Sequence, residues 1–200
     1  MKMFSQLSHC CFTLILVSIL AASPGLLNAQ TLKGSYGSVF FRGTQIHQQF
    51  QAGIGGMGAV VLNNRLGLGA YGIGMPGSIN FEGSDLNDNP IADLNLKMGY
   101  GGVFAEYFFI NNQRFRLSTP VKLGYGAVGV YDKEADEKIE KSRLLVLEPE
   151  LHFDIRLGNH LAISLQSSYR IADVKGLNNV SDSTISGLNF GLGLKMISRN

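Results

Sequence analysis

In the segment 145–157 every odd position is apolar, and from Glu148 onward every even position is ionisable. Its even positions include the ionisable residues Glu148, Glu150, His152, Asp154 and Arg156. A period of two places successive side chains on opposite faces of a β-strand, so one face here is apolar and the other ionisable. The segment is longer than the usual strand of about five or six residues. It fits the tilted strand of roughly 9–11 residues that crosses a bilayer, and it therefore predicts a strand of a transmembrane β-barrel.

The rest of the chain repeats this pattern. We expect eight strands, at residues 34–42, 49–62, 65–75, 93–110, 114–131, 143–157, 161–173 and 184–197. Tight turns at 63–64, 111–113 and 158–160 alternate with connections at 43–47, 76–92, 132–142 and 174–183, which are longer except for the first. Bacterial membrane barrels have an even number of strands, short periplasmic turns and longer outer loops. The sequence thus predicts an all-β fold, an eight-stranded antiparallel transmembrane up-and-down β-barrel, with both ends on the periplasmic side.

The alternation alone does not say which face points inward. A soluble barrel would bury its apolar face, whereas a membrane barrel presents that face to lipid. The long strands, the alternating connections and the mixture of glycine with charges on the polar face favour lipid. In segment 93–110 the pattern changes phase at Gly101-Gly102, which predicts a β-bulge. Because Trp is absent, an aromatic girdle would use Tyr and Phe, such as Phe40, Phe41, Tyr107, Phe108, Tyr131 and Tyr169.

The N-terminus has the features of a secretory signal peptide. Lys2 is followed by an apolar core at 11–22 and by Leu27-Asn28-Ala29, so we expect a signal at 1–29 and a barrel domain at 30–200. Both cysteines, Cys10 and Cys11, lie inside this signal, which leaves the mature chain without disulfides or thiolate ligands. A formal net charge of +2 gives no basic excess that would suggest nucleic acid as a partner.

Several short pieces of sequence carry a resemblance to a known class. They are Gly55-Gly56-Met57-Gly58, Leu68-Gly69-Ala70-Tyr71-Gly72, Tyr100-Gly101-Gly102, Glu148-Pro149-Glu150, Ser168-Tyr169-Arg170 and the segment 187–195. The chain resembles the eight-stranded outer-membrane barrels of the OmpX and OmpA-barrel class, and more closely a family of small outer-membrane β-barrel proteins without an established activity. The resemblance implies the outer membrane of a Gram-negative-type bacterium, contact with its lipid and lipopolysaccharide, and handling by periplasmic chaperones and the barrel-assembly machinery. One departure is the end of the chain, Ile197-Ser198-Arg199-Asn200, where many such barrels have an aromatic residue.

The charged residues on the polar faces form the candidate site. Glu150, His152 and Asp154 follow one another at two-residue spacing, which fits a metal site, an acid–base cluster or an ion-pair network in the lumen. We favour the network, because buried charges need partners and an eight-stranded barrel is only wide enough for side chains to fill it. With a three-residue turn at 158–160, Glu148 would face Arg170, Glu150 would face Ser168 and His152 would face Gln166. The predicted lumen network is Lys97, Glu106, Arg116, Lys122, Glu148, Glu150, His152, Asp154, Arg156 and Arg170, with Lys195 in the same lumen.

Other motifs are weaker. The segments 53–58, 67–72 and 124–129 match the dinucleotide pattern GxGxxG, but no helix follows them, so no cofactor is expected. A lipid-modifying enzyme of the lipid A deacylase or acyltransferase type would need a Ser/His/acid set. The spacing of His160 and Ser164 fits no such motif, and His47 with Ser or Asp residues of loop 76–92 is a weaker candidate. Surface binding through loops 76–92 and 132–142 is a third class. The sequence favours a monomeric, non-enzymatic outer-membrane barrel with a structural or surface-interaction role and a closed lumen, and a soluble periplasmic ligand-binding barrel stays open as an alternative.

Overall fold

A computed structural model describes residues 32–46, 49–75, 81–84, 90–132, 138–175 and 185–199. The strands are β1 (Leu32–Ile46), β2 (Gln49–Leu62), β3 (Leu66–Met75), β4 (Phe81–Ser84), β5 (Pro90–Asn111), β6 (Phe115–Asp132), β7 (Lys138–Arg156), β8 (Leu161–Lys175) and β9 (Gly187–Arg199). Within these ranges, no helix has the length and apolar character needed to cross a membrane. The predicted signal at 1–29 lies outside the described residues.

The strands close into a barrel. Successive strands pair antiparallel except for β3 and β4; β3 pairs instead with β5, and the first strand β1 pairs with the last strand β9. This closure gives the eight-stranded antiparallel barrel that the sequence predicts. The short strand β4 is additional and pairs with β5 outside the ring, in a segment that the sequence assigns to a loop. Strands β5 and β7 likewise begin earlier than expected, at Pro90 and Lys138.

The predicted short turns, the start of β1 and the end of β9 all lie at the same end of the barrel, which we call the turn end. Between β2 and β3, Asn63 and Asn64 have φ angles of 50° and 58°, and the Arg65 N–H donates to the Leu62 carbonyl at 3.1 Å. This is a tight turn of the kind that favours Asn, because Asn tolerates positive φ. In the next turn, the Asn112 side-chain oxygen accepts two backbone N–H groups, at 3.0 and 2.7 Å.

The apolar faces of the strands point outward and most of the charged side chains point inward. Phe41, Phe190 and Met196 are 66%, 64% and 67% exposed, whereas Lys122 and Arg170 are fully buried. This orientation agrees with the one expected for a membrane barrel. Since so many large apolar side chains lie on the outside, the outer surface has the composition of a protein core.

The β-bulge predicted at Gly101-Gly102 is wrong. The pairing of β5 with both neighbours runs without a break through this point, and the shift lies instead between Phe108 and Ile110. Met98 and Tyr100 therefore point into the lumen and are only 5% and 4% exposed. The prediction failed because it assumed that the inward face is polar throughout, and this lumen also holds apolar side chains.

Two of the predicted girdle residues also lie inside the barrel. Phe40 and Phe108 are 0% and 2% exposed, whereas Phe41, Tyr107 and Tyr169 are on the outer face. The side chain of Tyr131 lies outside the described part. The lumen is thus divided: β1, β2, β3 and β5 contribute mainly aromatic and aliphatic side chains, and β6 to β9 contribute most of the charged ones.

Candidate functional site

The inward face of β7 carries Glu148, Glu150, His152 and Asp154, all of them buried. Arg42 of β1 reaches across the lumen to two of these carboxylates. Its Nη1 lies 2.6 Å from Glu148 Oε1, and its Nη2 pairs with Glu150 Oε1. One guanidinium thus joins two carboxylates in the planar, two-pronged manner that arginine favours, and it links the first strand of the barrel to the seventh.

The second oxygen of Glu150 has two further partners. Lys122 Nζ lies 2.8 Å from Glu150 Oε2, and His152 Nε2 lies 2.7 Å from the same atom. The Lys122 ammonium is also 5.0 Å from the ring centre of Phe40 and 4.9 Å from that of Tyr71. Aromatic faces at these distances attract a cation, so the apolar half of the lumen contributes to holding the charged half in place.

Glu148 accepts hydrogen bonds from three neutral groups besides Arg42. Ser168 Oγ donates at 2.6 Å, Asn189 Nδ2 at 2.9 Å and the Tyr100 hydroxyl at 3.0 Å. Because the donors come from β8, β9 and β5, this carboxylate connects both halves of the lumen wall. A buried carboxylate with several donors is much less costly than an isolated one.

The remaining carboxylates lie nearer the turn end. Glu106 accepts hydrogen bonds from the Tyr36 hydroxyl and from Ser118 Oγ, the latter at 2.6 Å, and it lies 3.9 Å from His152 Nδ1. Asp154 forms an ion pair of 2.7 Å with Lys195. Together with the groups around Glu148 and Glu150, these contacts extend along the lumen and fill it with polar side chains.

Arg170 has different partners from the expected one. Its guanidinium donates to the Ile185 carbonyl at 2.8 Å and to Thr44 Oγ1 at 3.1 Å, and it lies 3.6 Å from Met75 Sδ. The cross-strand register nevertheless has Glu150 opposite Ser168 and His152 opposite Gln166, as the turn length predicts. Among the described contacts, Glu148 pairs with Arg42 rather than with Arg170.

Three other predicted lumen residues occupy distinct places. Arg116 is 3% exposed and Arg156 is half-buried, and both donate to Asn111 Oδ1 at the turn end, at 3.3 and 2.7 Å. Lys97 is exposed, which contradicts its predicted place inside the barrel. Because β5 has no bulge at Gly101-Gly102, Lys97 keeps the same phase as the outward-facing Val103. Lys97 therefore faces outward as well.

The sequence did not identify Arg42, Tyr36, Tyr100 and Asn189 as members of the network. Arg42 could have been found from the outward positions Val39 and Phe41, which place it on the inward face of β1. The adjacent pair Phe40-Phe41 obscured this alternation. Tyr100 and Asn189 have no charge, so nothing in a search for paired charges selects them.

The described contacts of these lumen side chains are ion pairs and hydrogen bonds to one another. Within the described residues, no group of three or more His, Cys, Asp or Glu side chains is arranged to hold a metal ion. Ser164 is buried in the lumen, whereas His160 lies exposed in a turn with its Nδ1 3.2 Å from the Ile197 carbonyl. His47 lies outside the described residues.

The fold is similar to that of several solved proteins. Ail, the attachment invasion locus protein of Yersinia pestis, aligns with a TM-score of 0.54 and 14% identity over 84% of this chain and 99% of Ail. Neisserial surface protein A aligns with a TM-score of 0.55 and 9% identity over 84% of this chain and 99% of that one. The N-terminal β-barrel domain of OprF from Pseudomonas aeruginosa aligns with a TM-score of 0.53 and 10% identity over 84% of this chain and 99% of that domain.

No protein-family model and no curated protein matches the sequence. At identities this low, the structural similarity concerns the fold. The chain therefore has the fold of the small eight-stranded outer-membrane β-barrels.

Proposed function

We propose that this chain is an integral protein of the outer membrane of a Gram-negative-type bacterium, exported through a cleaved signal at 1–29. In this proposal it is a monomer that contacts lipid and lipopolysaccharide, and it is inserted by the barrel-assembly machinery with the help of periplasmic chaperones. Its role is structural or surface-interacting, without catalysis and without an open pore.

One observation carries the location. Large apolar side chains cover the outside of the ring, and ion pairs such as those of Arg42 with Glu148 and of Lys195 with Asp154 lie inside it. In water this distribution would be strongly unfavourable, because the apolar area would stay hydrated while charges lost their hydration. In a bilayer the same surface faces hydrocarbon, as it does in outer-membrane barrels.

The test is to express the full chain in a Gram-negative host and to separate its membranes. We expect the protein in the outer-membrane fraction, and we expect unheated protein to migrate faster in a denaturing gel than boiled protein. A variant without residues 1–29 should not reach that fraction. Recovery of the full chain as a soluble periplasmic protein without heat-dependent migration would overturn the proposal and favour a soluble ligand-carrying barrel.

The closed lumen is the second part of the proposal. Side chains of Arg42, Lys122, Glu148 and Glu150 are buried at the middle of the barrel and joined by ion pairs. An eight-stranded barrel is only just wide enough for such side chains to fill it. Purified protein in a planar bilayer should therefore give no stepwise ionic conductance, whereas a porin in the same bilayer should. Regular conductance steps would contradict a closed lumen.

The absence of catalysis is tested directly. Ser164 is buried in the lumen, whereas His160 lies in an exposed turn at the end of the barrel. We expect the lipid A acyl pattern of the host to stay the same when the chain is expressed. A changed pattern that disappears with Ser164→Ala would support the lipid-modifying alternative instead.

The surface-interaction role rests on the sequence of the loops. The connections 76–92 and 132–142 contain many of the charged residues outside the lumen, and parts of both lie outside the described residues. Deleting residues 133–137 should remove an interaction with a surface partner and leave heat-dependent migration intact. If the bacteria bind to cultured cells or to extracellular matrix equally well with and without the deletion, this loop has no part in that binding.

A further inference from the structure

A pocket of about 490 Å³ opens at the turn end of the barrel. Its polar lining includes Lys33, Ser35, Asn64, Asn111, Arg116 and Arg156. It lies beyond the ion pair of Asp154 with Lys195, so it is separate from the central network. Three of its lining side chains are cationic, and no acidic side chain is found among the described residues that line it.

The turns and strand ends around the pocket share this charge bias. Segments 32–35, 61–66, 108–115, 155–163 and 196–199 contain no Asp or Glu, although they contain Lys33, Arg65, Arg114, Arg156 and Arg199. The nearest acids, Glu106 and Asp154, lie deeper in the lumen, and Asp154 is paired with Lys195. A concave surface lined by one sign of charge concentrates ions of the opposite sign. The pocket therefore has the electrostatic character of a site for anions.

Arg116 is the residue that makes the pocket more than a basic surface. Its side chain is held by a hydrogen bond from Nε to Asn111 Oδ1 at 3.3 Å and by the Phe108 ring, whose centre is 4.7 Å from the guanidinium carbon. Its Nη1 is buried and has no hydrogen-bond partner among the described residues. A buried donor of a charged group without a partner is costly, because that group has lost its water.

Asn111 organises the donors around this atom. Its Oδ1 accepts both Arg116 Nε and Arg156 Nη2, and its Nδ2 donates to the Asn64 carbonyl at 3.0 Å. The Nε of Arg156 is also buried without a partner in the described part of the chain. Two guanidinium groups are thus fixed side by side with unused donors, which suits the paired oxygens of a carboxylate or phosphate.

Among the described acids, Asp154 is the one that pairs with Arg116 across the strands, directly opposite it in the pairing of β6 with β7. Its Oδ2 is engaged by Lys195 at 2.7 Å, while its Oδ1 has no hydrogen-bond partner among the described residues. The two groups form no ion pair among the described contacts, and Arg116 lines the pocket.

We propose that this turn-end pocket binds a small organic oxyanion, a molecule whose carboxylate or phosphate group is held by Arg116 and Arg156. The volume exceeds that of a single oxyanion group, so the remainder of the ligand has room beside Ser35 and Asn64. The ligand enters from the turn end, where β1 begins and β9 ends. This binding is independent of the structural role proposed above.

The test uses the folded protein in zwitterionic micelles at about 0.15 M salt, where diffuse surface attraction is screened. Inorganic phosphate and citrate are titrated separately by calorimetry, and the Nε–H resonance of Arg116 is followed by NMR. Saturable binding with a shift of that resonance is expected, and the tighter of the two probes distinguishes a phosphate ligand from a carboxylate ligand.

Two variants localise the effect. Arg156→Gln removes a half-buried donor and should weaken binding by at least about tenfold, as expected for one charged hydrogen bond. Arg65→Gln removes an exposed charge at the same end that does not line the pocket, and it should leave the affinity unchanged. Heat-dependent gel migration checks that both variants are folded.

Three results would overturn the proposal. One is the absence of saturable binding of either probe. Another is an equal loss of affinity in Arg65→Gln and Arg156→Gln, which would show diffuse attraction only. The third is an Arg116 resonance that responds to Asp154→Asn and ignores both probes, which would show that Arg116 is paired internally.

Discussion

Glu148 is the lumen carboxylate with the most varied partners. It is fully buried and joins Arg42, Tyr100, Ser168 and Asn189. Glu148→Gln keeps the shape of the side chain and removes its charge, so Arg42 retains only Glu150 as an anionic partner. We expect the free energy of unfolding, measured by urea titration in micelles, to fall by about 3 kcal/mol, in the range for breaking a buried pair.

Asp173→Asn is the matched control for this change. Asp173 is an exposed acid on β8, so its amide should change the free energy of unfolding by less than about 0.5 kcal/mol. Equal effects of the two substitutions would mean that the buried contacts of Glu148 add no stability beyond that of a surface charge.

A double-mutant cycle separates the pairing seen in the structure from the one that the register alone suggests. Arg42 Nη1 is 2.6 Å from Glu148, whereas Arg170 donates to Ile185 and Thr44. The coupling energy of Arg42→Met with Glu148→Gln should therefore lie at about 1–3 kcal/mol, as for residues in direct contact. The coupling of Arg170→Met with Glu148→Gln should be clearly smaller, and the reverse order would contradict the assigned pairs.

At the residue scale, the sequence predicted which acidic side chains lie inside but not all of their partners. Alternation identifies the inward face of β7, because the outward face there is entirely apolar. It does not identify Arg42, since the adjacent Phe40 and Phe41 hide the phase of β1. It also cannot choose between two cations for one carboxylate, because that choice depends on distances across the lumen.

At the scale of the strand, glycines allow β5 and β6 to approach each other beside the aromatic cluster. The rings of Tyr71, Tyr100 and Phe104 pack edge to face, with centroid separations of 6.2 and 6.5 Å. A Cβ at Gly102 would lie 2.0 Å from the Leu123 carbonyl oxygen, which belongs to the neighbouring strand. The glycines predicted to form a bulge thus provide room for a close approach of backbones.

Gly102→Ala should consequently destabilise the barrel. Because the obstructing atom is backbone, the strands must separate locally, and we expect a loss of about 2 kcal/mol or more in unfolding free energy. Gly72→Ala is the control, since a Cβ there meets nothing within 4 Å. Urea titration of both variants compares them, and an unaffected Gly102→Ala would show that the strand pair is not closely packed at this point.

The turn between β2 and β3 gives a second prediction at this scale. Asn64 has a φ of 58°, which a β-branched residue adopts only with strain. Asn64→Val should lower the free energy of unfolding by about 1–2 kcal/mol, and Asn64→Gly should change it little because glycine adopts this conformation freely. Similar stability of the two variants would show that the turn changes conformation.

Elements were largely predictable because turns and period-two patterns are local properties. The three short turns were predicted to within one residue from Asn- and Gly-rich pieces. The sequence did not predict the phase of the first half of β5, because Met98 and Tyr100 are apolar and still face inward. Deciding between lipid and lumen for an apolar residue requires knowing what lies opposite, and this information is absent from the segment itself.

At the scale of the whole molecule, the lumen is itself amphipathic. Its aromatic half, with Phe40, Tyr71 and Tyr100, faces the charged half, and Lys122 and Arg42 lie against aromatic rings. The polar groups therefore do not need to be matched in charge one by one, because ring faces and hydroxyl groups share in the stabilisation. This explains how the lumen is filled although only part of its inner wall is polar.

The outer surface gives the prediction that distinguishes a lipid-facing barrel from a soluble one. Leu192 lies within β9 opposite Phe41 and Leu165, and it is 54% exposed. Leu157 is similarly exposed, at 58%, but it adjoins the turn end. In a membrane, arginine at the midplane costs roughly 2–4 kcal/mol, and near the interface it costs about 0–1 kcal/mol.

Leu192→Arg should therefore lower the free energy of unfolding in phosphatidylcholine vesicles by roughly 2–4 kcal/mol, and Leu157→Arg should have a much smaller effect. The two sites are nearly equal in exposure, so any difference reports depth in the bilayer and not burial in the protein. On a soluble barrel, both arginines would be solvated equally well, because water surrounds both positions alike. Small and equal effects at the two positions would thus contradict the membrane assignment, whereas a difference that follows depth supports it.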